Sequence, residues 1–277
     1  MKYEKKNNEI IIYDLSSFNA KQILDCGQIF RYQIEGNKAT VFSKDKKAVI
    51  ETLNDKIIII TEDTKYFEHF FDLKTDYATI KSQLKKDNLL KDAVEYGYGI
   101  RILNNDTYEM IVSFIISANN NIKRIKKSIE WLCERFGMNK GTYYAFPTLG
   151  QLKSATVDDY KSAGLGYRAE YMFETIQYLT QEQIEELKTK SQNEQFNFLV
   201  SLKGVGEKVA NCIMLFGLGV KNSFPVDTWI NKVYNKINNT NETDRKKITR
   251  ELVNRYGNLS GYAQQYFFYY FRDNNIN

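Results

Sequence analysis

The chain is short of the residues that build crosslinked or metal-bound scaffolds. Its 277 residues hold only three cysteines, Cys26, Cys133 and Cys212, widely spaced and with no C-x-x-C pair. An odd, dispersed set excludes a disulfide framework and a cysteine zinc site, and fits a reducing compartment. It also falls short of the four thiolates that hold an iron–sulfur cluster. Proline occurs twice, as Pro147 and Pro225, each at an element boundary. No apolar run approaches the ~18 residues of a membrane span, and Ile10 to Tyr13 is too short for the apolar stretch of a signal peptide. A cytosolic or nucleoid-associated protein with no membrane partner is expected. Charge of one sign is also scarce. The net charge is +5 with 26% charged residues, so bulk basicity says little about nucleic acid. The local runs Lys123-Arg-Ile-Lys-Lys127 and Arg245-Lys-Lys-Ile-Thr-Arg250 say more, because each can line a surface that tracks a phosphate backbone.

What the chain does contain divides at about residue 98. The segments 9–13, 29–34, 38–43, 47–52 and 56–61 are short and rich in β-branched or aromatic residues. Polar turns such as Glu35-Gly-Asn37 separate them, the pattern of an antiparallel sheet. Tyr66, Phe67, Phe70 and Phe71 then fit a helix, and Leu84, Leu89, Leu90 and Val94 fit two more. Beyond Tyr98 the periodicity is helical throughout, over 106–118, 121–136, 149–154, 156–163, 168–180, 182–188, 192–202, 207–218, 227–236, 243–256 and 260–272. Gly137, Gly164, Gly166, Gly204, Gly206 and Gly257 punctuate these runs as helix stops. The fold class predicted is α+β: an N-terminal antiparallel β-sheet domain with flanking helices over 1–98, then a mostly α-helical domain over 99–277.

The densest signal is Leu199-Val-Ser-Leu-Lys-Gly-Val-Gly-Glu-Lys208, followed by Pro225-Val-Asp227. Gly204-Val205-Gly206 between two helical stripes is a glycine-flanked turn that exposes backbone N–H groups at a helix start, a natural phosphate site. Lys208 in the first turn of the second helix is mildly unfavourable against the dipole. That placement asks for an explanation. From Lys208 to Gly217 the helix rises roughly 14 Å at ~1.5 Å per residue, and residues 219–226, if extended, span up to about 26 Å. The chain can thus return to set Asp227 beside Lys208, with Asp227 capping the next helix.

These segments resemble the lysine-bearing 8-oxoguanine DNA glycosylases of the helix-hairpin-helix, Gly/Pro-rich, Asp-containing superfamily, over residues 9 to 272. The shortage of cysteine separates the chain from cluster-bearing relatives such as endonuclease III-like enzymes. The resemblance implies a bifunctional DNA glycosylase/AP lyase that excises 8-oxoguanine opposite cytosine from duplex DNA in base excision repair. Lys208 would be the nucleophile at C1′ and Asp227 its partner. Cys26-Gly27-Gln28-Ile-Phe-Arg31 resembles the family segment whose glycine carbonyl tests for the N7–H of the oxidised base, which makes Gly27 the candidate. Gln264 and Phe268 lie at i and i+4 on one helical face. There they would read the Watson–Crick edge and stack on the base, with Cys212 as the opposite wall.

Ser117-Ala-Asn119-Asn-Asn121-Ile-Lys-Arg124 and Gly166-Tyr167-Arg168-Ala169 resemble the family's duplex-filling segments. Asn119 would fill the gap, Tyr167 wedge the duplex, and Arg124 and Arg168 contact the orphan cytosine. No catalytic metal or cofactor is expected, a structural cation at the hairpin is left open, and a monomer is expected. Two positions depart from the family pattern. Lys203 replaces a proline before the hairpin, which adds a cation near phosphate. Trp229 stands where animal members often carry a phosphate-contacting histidine, and an indole offers one neutral N–H only. Attack requires a neutral amine, so a depressed Lys208 pKa is expected from burial and the helix's positive end. The rival readings are a non-catalytic helix-hairpin-helix DNA-binding protein, which needs the hairpin but not Lys208, Asp227 or Gln264, and a glycosylase for another damaged purine.

Overall fold

The computed structural model describes residues 1–274. The described strands β1 (Tyr3–Lys6), β2 (Glu9–Ile12), β3 (Tyr32–Glu35), β4 (Lys38–Ser43), β5 (Lys46–Thr52) and β6 (Ile57–Thr61) form one antiparallel sheet in the order β1-β2-β6-β5-β4-β3. Alternation sets its register. Ile10 pairs with Ile59, Ile59 with Ile50, and Ile50 with Ala39, so one row of side chains crosses four strands on the buried face. A one-residue slip would turn that row to solvent. Helix α1 (Ala20–Leu24) follows an Asn19 cap, and α2 (Thr64–Phe70) covers the buried face with Phe67 and Phe70. Elements of this half that were not expected include α1 and the edge strand β1. Tyr3–Lys6 has little apolar character, and lysines suit an edge that must not pair with another chain.

Next come α3 (Tyr77–Leu84) and α4 (Asn88–Tyr96), then α5 (Thr107–Ser117), α6 (Ile122–Phe136), α7 (Leu149–Lys153), α8 (Val157–Ser162), α9 (Arg168–Tyr178), α10 (Gln181–Leu187), α11 (Gln192–Ser201), α12 (Glu207–Gly217), α13 (Thr228–Asn238), α14 (Arg245–Tyr256) and α15 (Ser260–Asp273). Capping boxes start α7, α8, α10 and α11, reciprocal bonds that satisfy amides a helix start would leave orphaned. Helix α5 is apolar on almost every side and is the buried axis of this half. Helix α12 lies against it so closely that a Cβ on Gly217 would sit 3.0 Å from Met110 Cβ. Helix α15 crosses the end of α12, where Gly261 faces Leu215.

Among the described residues the buried apolar side chains form two clusters, one under the sheet and one among the helices. Tyr77, Leu84, Leu90 and Val94 belong to the helical cluster, so α3 and α4 pack with the later helices although they precede residue 98. The loop at 26–30 straddles both clusters. Cys26 and Phe30 are buried in the helical one and Ile29 in the other.

Candidate active site

The hairpin joins α11 to α12 through two tight bonds, Leu202 N to Leu199 O (3.2 Å) and Val205 N to Leu202 O (3.1 Å). Gly204 has φ +79°, and a Cβ there would come within 3.0 Å of Tyr171 Cβ, so both conformation and space call for glycine. Val205 plugs the turn into the core. Gly206 opens α12 with no side-chain cap, leaving the first-turn amides to external acceptors. Lys203 directs its amine to Glu174 at 3.8 Å, while its carbonyl accepts from Thr175 Oγ1 at 3.0 Å. The turn without proline is thus tied from outside.

The return path of the chain runs antiparallel to α12. Val220 N donates to Met214 O (2.9 Å), Ser223 Oγ donates to Asn211 O (3.0 Å), and Pro225 and Val226 are buried. The progression delivers Asp227 to the level of Lys208. Asp227 caps α13, its Oδ1 accepting from Ile230 N at 2.8 Å. Lys208 is half-buried, with its Nζ 5.8 Å from the centroid of Phe114, and the buried sulfur of Cys212 one turn on is the largest electrostatic influence on its amine. Asp227 acts electrostatically on both Lys208 and Cys212.

One expectation is overturned here. Lys208 is not depressed: its pKa is raised, first by the Cys212 sulfur, then by Asp227, against burial and the charge of Arg245. Burial raises the Cys212 thiol in turn. Burial ranks ahead of Asp227, so it is the sulfur that tips the balance toward the raised value. The lysine is therefore stored as a cation and must shed a proton before it attacks.

On the far side, Gly27 also sits at positive φ, +79°, and a Cβ there would lie 3.1 Å from Phe268 Cε1. A side chain at Gly27 would therefore press on the Phe268 ring. Phe268 is half-buried beneath the Arg272 guanidinium (5.8 Å), and the buried Gln264 accepts from Gln265 Nε2 at 2.8 Å. A series of rings connects this side to the lysine. Phe30 packs edge-on to Phe114 (5.7 Å), the ring beneath Lys208, and Phe114 stacks on Phe216 of α12 (5.7 Å). A cleft of about 520 Å³ lies elsewhere, beside Tyr66, His69 and Lys74, and holds none of these groups.

The remaining candidates line a rim. Asn119 is exposed at φ +49°, Arg124 is exposed in the first turn of α6, and Tyr167 is 57% exposed beside Tyr171, the residue that abuts Gly204. Arg168 differs. It is only 6% exposed, and its fork donates to Ala118 O (2.6 Å), Asn119 O (2.7 Å) and Leu165 O (3.2 Å). In this structure it braces the Asn119 turn from below and does not face outward. The sequence reading placed Arg245 only in a basic run, whereas it donates to Thr228 Oγ1 (3.3 Å) next to Asp227, and it did not single out Phe114 beneath the amine. Only their separation from Lys208 along the chain hid them. Among the described residues no His, Cys, Asp and Glu group could hold a metal ion.

Residues 10–111 match the family model of the 8-oxoguanine DNA glycosylase N-terminal domain, and 112–258 that of the HhH-GPD superfamily base excision DNA repair proteins. The fold matches the Clostridium acetobutylicum 8-oxoguanine glycosylase/lyase, solved with dsDNA containing cytosine opposite 8-oxoG. The TM-score is 0.93 and the identity 38%, covering 100% of this chain and 99% of that one. A probable N-glycosylase/DNA lyase of Methanothermobacter thermautotrophicus is 31% identical over 73% of this chain and 72% of its own. The N-glycosylase/DNA lyase OGG1 of Arabidopsis thaliana is 30% identical over 66% of this chain, which spans 55% of its length. Fold and site together define a DNA glycosylase of the helix-hairpin-helix superfamily. Within it, the chain belongs to the 8-oxoguanine glycosylase/lyases.

Proposed function

We propose that this protein flips 8-oxoguanine out of duplex DNA opposite cytosine, excises it with Lys208, and nicks the resulting abasic strand. The observation that carries the reading is the convergence of Lys208, Cys212 and Asp227 at the start of α12, beside an uncapped helix N-terminus. The first-turn amides at Gly204 to Gly206 would take a phosphate, and the exposed Tyr167, Asn119 and Arg124 would fill the stack and meet the orphan cytosine. The extruded base would lie between Phe268 and Cys212, its N7–H donating to the Gly27 carbonyl and its pairing edge facing Gln264.

Closing on the nucleotide removes water from around Lys208. Burial is the larger of the two influences that lower its pKa, so binding itself favours release of the proton. The free amine attacks C1′, the C1′–N9 bond breaks, and the base leaves with the bonding pair. Asp227 stabilises the positive charge that develops on the sugar. The Schiff base that follows allows β-elimination on the 3′ side. Arg168 would reach cytosine only by leaving its three carbonyls, so its first duty is to hold the Asn119 turn. No helix among the described residues is long and apolar enough to cross a membrane. A monomer acting on DNA in the cytoplasm or nucleoid, with no required cofactor, fits this reading.

The test is single-turnover excision on an 8-oxoguanine:cytosine duplex, with and without borohydride. The native protein should release the base and leave a reduced protein–DNA adduct, and Lys208→Gln should bind the duplex and do neither. A native protein that binds without excision or adduct would be a DNA-binding module only. Preference for an alkylated purine on a lesion panel would reassign the substrate.

A further inference from the structure

The base-testing loop and the catalytic helix belong to different parts of the chain, and one buried strip of polar groups joins them. Gln28, next to Gly27, is completely buried, and its amide is fully engaged. Nε2 donates to Ile23 O (2.9 Å) and Arg101 O (2.7 Å), while Oε1 accepts from Leu103 N (2.8 Å). The backbone carbonyl of Gln28 accepts from Asn105 Nδ2 at 3.4 Å, and the same Nδ2 reaches Phe216 O at 3.3 Å. Asn105 N also donates to Phe216 O (3.2 Å). Phe216 is two turns along α12 from Lys208 and one from Cys212. The side-chain oxygen of Asn105 is buried without a partner. A flip of the amide would point that oxygen at two carbonyls, so its orientation is fixed.

We propose that Gln28 and Asn105 are positioning residues that hold the Gly27 carbonyl in register with α12, and so set the discrimination of 8-oxoguanine from guanine. This rests on the proposed function and goes beyond it by assigning the residues that fix the acceptor's place. A hydrogen-bond test for N7–H rejects guanine only if the acceptor cannot retreat from the N7 lone pair. Gly27, at positive φ and without a side chain, has no anchor of its own. The rigidity comes from the bonds on either side of it, none of which touches substrate. They are neutral, so the relay sets position and adds no charge near the lysine.

An abasic site has no base to test, so its cleavage separates positioning from general damage. Gln28→Met keeps the volume and removes the amide. Asn105→Ala removes the two longer side-chain bonds and carries the test if Gln28→Met fails to fold. For each variant, excision of 8-oxoguanine opposite cytosine, excision of guanine in the same duplex, and β-elimination at a preformed abasic site are measured, with the thermal midpoint as a control. Excision of 8-oxoguanine should fall roughly 10- to 100-fold, the range of a lost buried hydrogen bond. The preference over guanine should narrow, and abasic-site cleavage should stay within about threefold of native. Equal loss of both activities, or no loss in either, overturns the relay. A native protein that does not excise 8-oxoguanine overturns the functional reading and the relay with it.

Discussion

Helix α12 has a lysine at each end, and the two are held in opposite states. Lys208, in the first turn, is half-buried, is acted on electrostatically by the Cys212 sulfur and by Asp227, and has a raised pKa. Lys221, four residues past the last turn, buries its amine with no hydrogen-bond partner, 6.0 Å from the Tyr262 ring, and burial lowers its pKa to about 8. By proton affinity alone Lys221 would be the better nucleophile. Yet it sits behind Gly261, whose N–H its own carbonyl accepts at 2.7 Å, with Asp72 acting on it electrostatically. Lys208 opens beside the hairpin that would seat a phosphate. A depressed pKa marks an amine that has lost its water. A nucleophile needs a substrate position and a carboxylate as well, and can carry its proton until the substrate arrives.

Three substitutions sharpen or break that contrast. The largest effect is expected from Asp227→Asn. Asparagine caps a helix as well as aspartate, so α13 should persist, while loss of the charge should slow excision roughly 100- to 1,000-fold. The sign for Lys208 follows directly. Without the nearby anion its raised pKa falls, so the acid limb of the rate profile should shift to lower pH. A limb that stays put would separate Asp227 from Lys208. Next, Phe268→Ala should cut excision roughly 10- to 100-fold, the worth of one lost base-stacking surface, with abasic-site cleavage nearly native. Equal loss in both assays would move Phe268 from the base pocket to the scaffold.

The smallest effect on activity is expected from Lys221→Met, within about twofold, since no substrate group reaches it. Its effect should be on stability. Folded Lys221 releases its proton near pH 8 and the unfolded chain near 10.4, so between those values the unfolded state binds more protons and stability rises with pH. The rise is about 3 kcal/mol, and the variant should lack it while gaining stability at pH 7. Denaturant unfolding at pH 7 and pH 10 checks this. An unchanged slope would mean that the amine is wetter than its surroundings imply.

Where chemistry is local, the sequence was readable. The Gly204-Val205-Gly206 turn, the Lys208–Cys212 spacing on one face and the capping role of Asp227 are set by residues a few positions apart. Chain length alone predicted the return path, which Val220 and Ser223 then pin. The helices after residue 98 were legible from their period and their glycine stops. The strand Tyr3–Lys6 was not, because its pairing with β2 owes little to its own side chains. Arg168 read as an outward fork because composition cannot show three carbonyls waiting beneath it. Gln28 and Asn105 were invisible as a unit, since Asn105 meets Phe216 across 111 positions and the pairing exists only in the fold. The charge of Lys208 was misjudged for a related reason. Burial was foreseen, but the sulfur and carboxylate outweigh it.

The most direct test of the central claim is to find the residue that carries the sugar. The native protein is reacted with an 8-oxoguanine:cytosine duplex under borohydride, digested, and the modified peptide is sequenced by mass spectrometry. The account predicts a reduced deoxyribose remnant on Lys208, in the peptide that also contains Cys212. A remnant on Lys221 or on the N-terminal amine, with Lys208 unmodified, would contradict it.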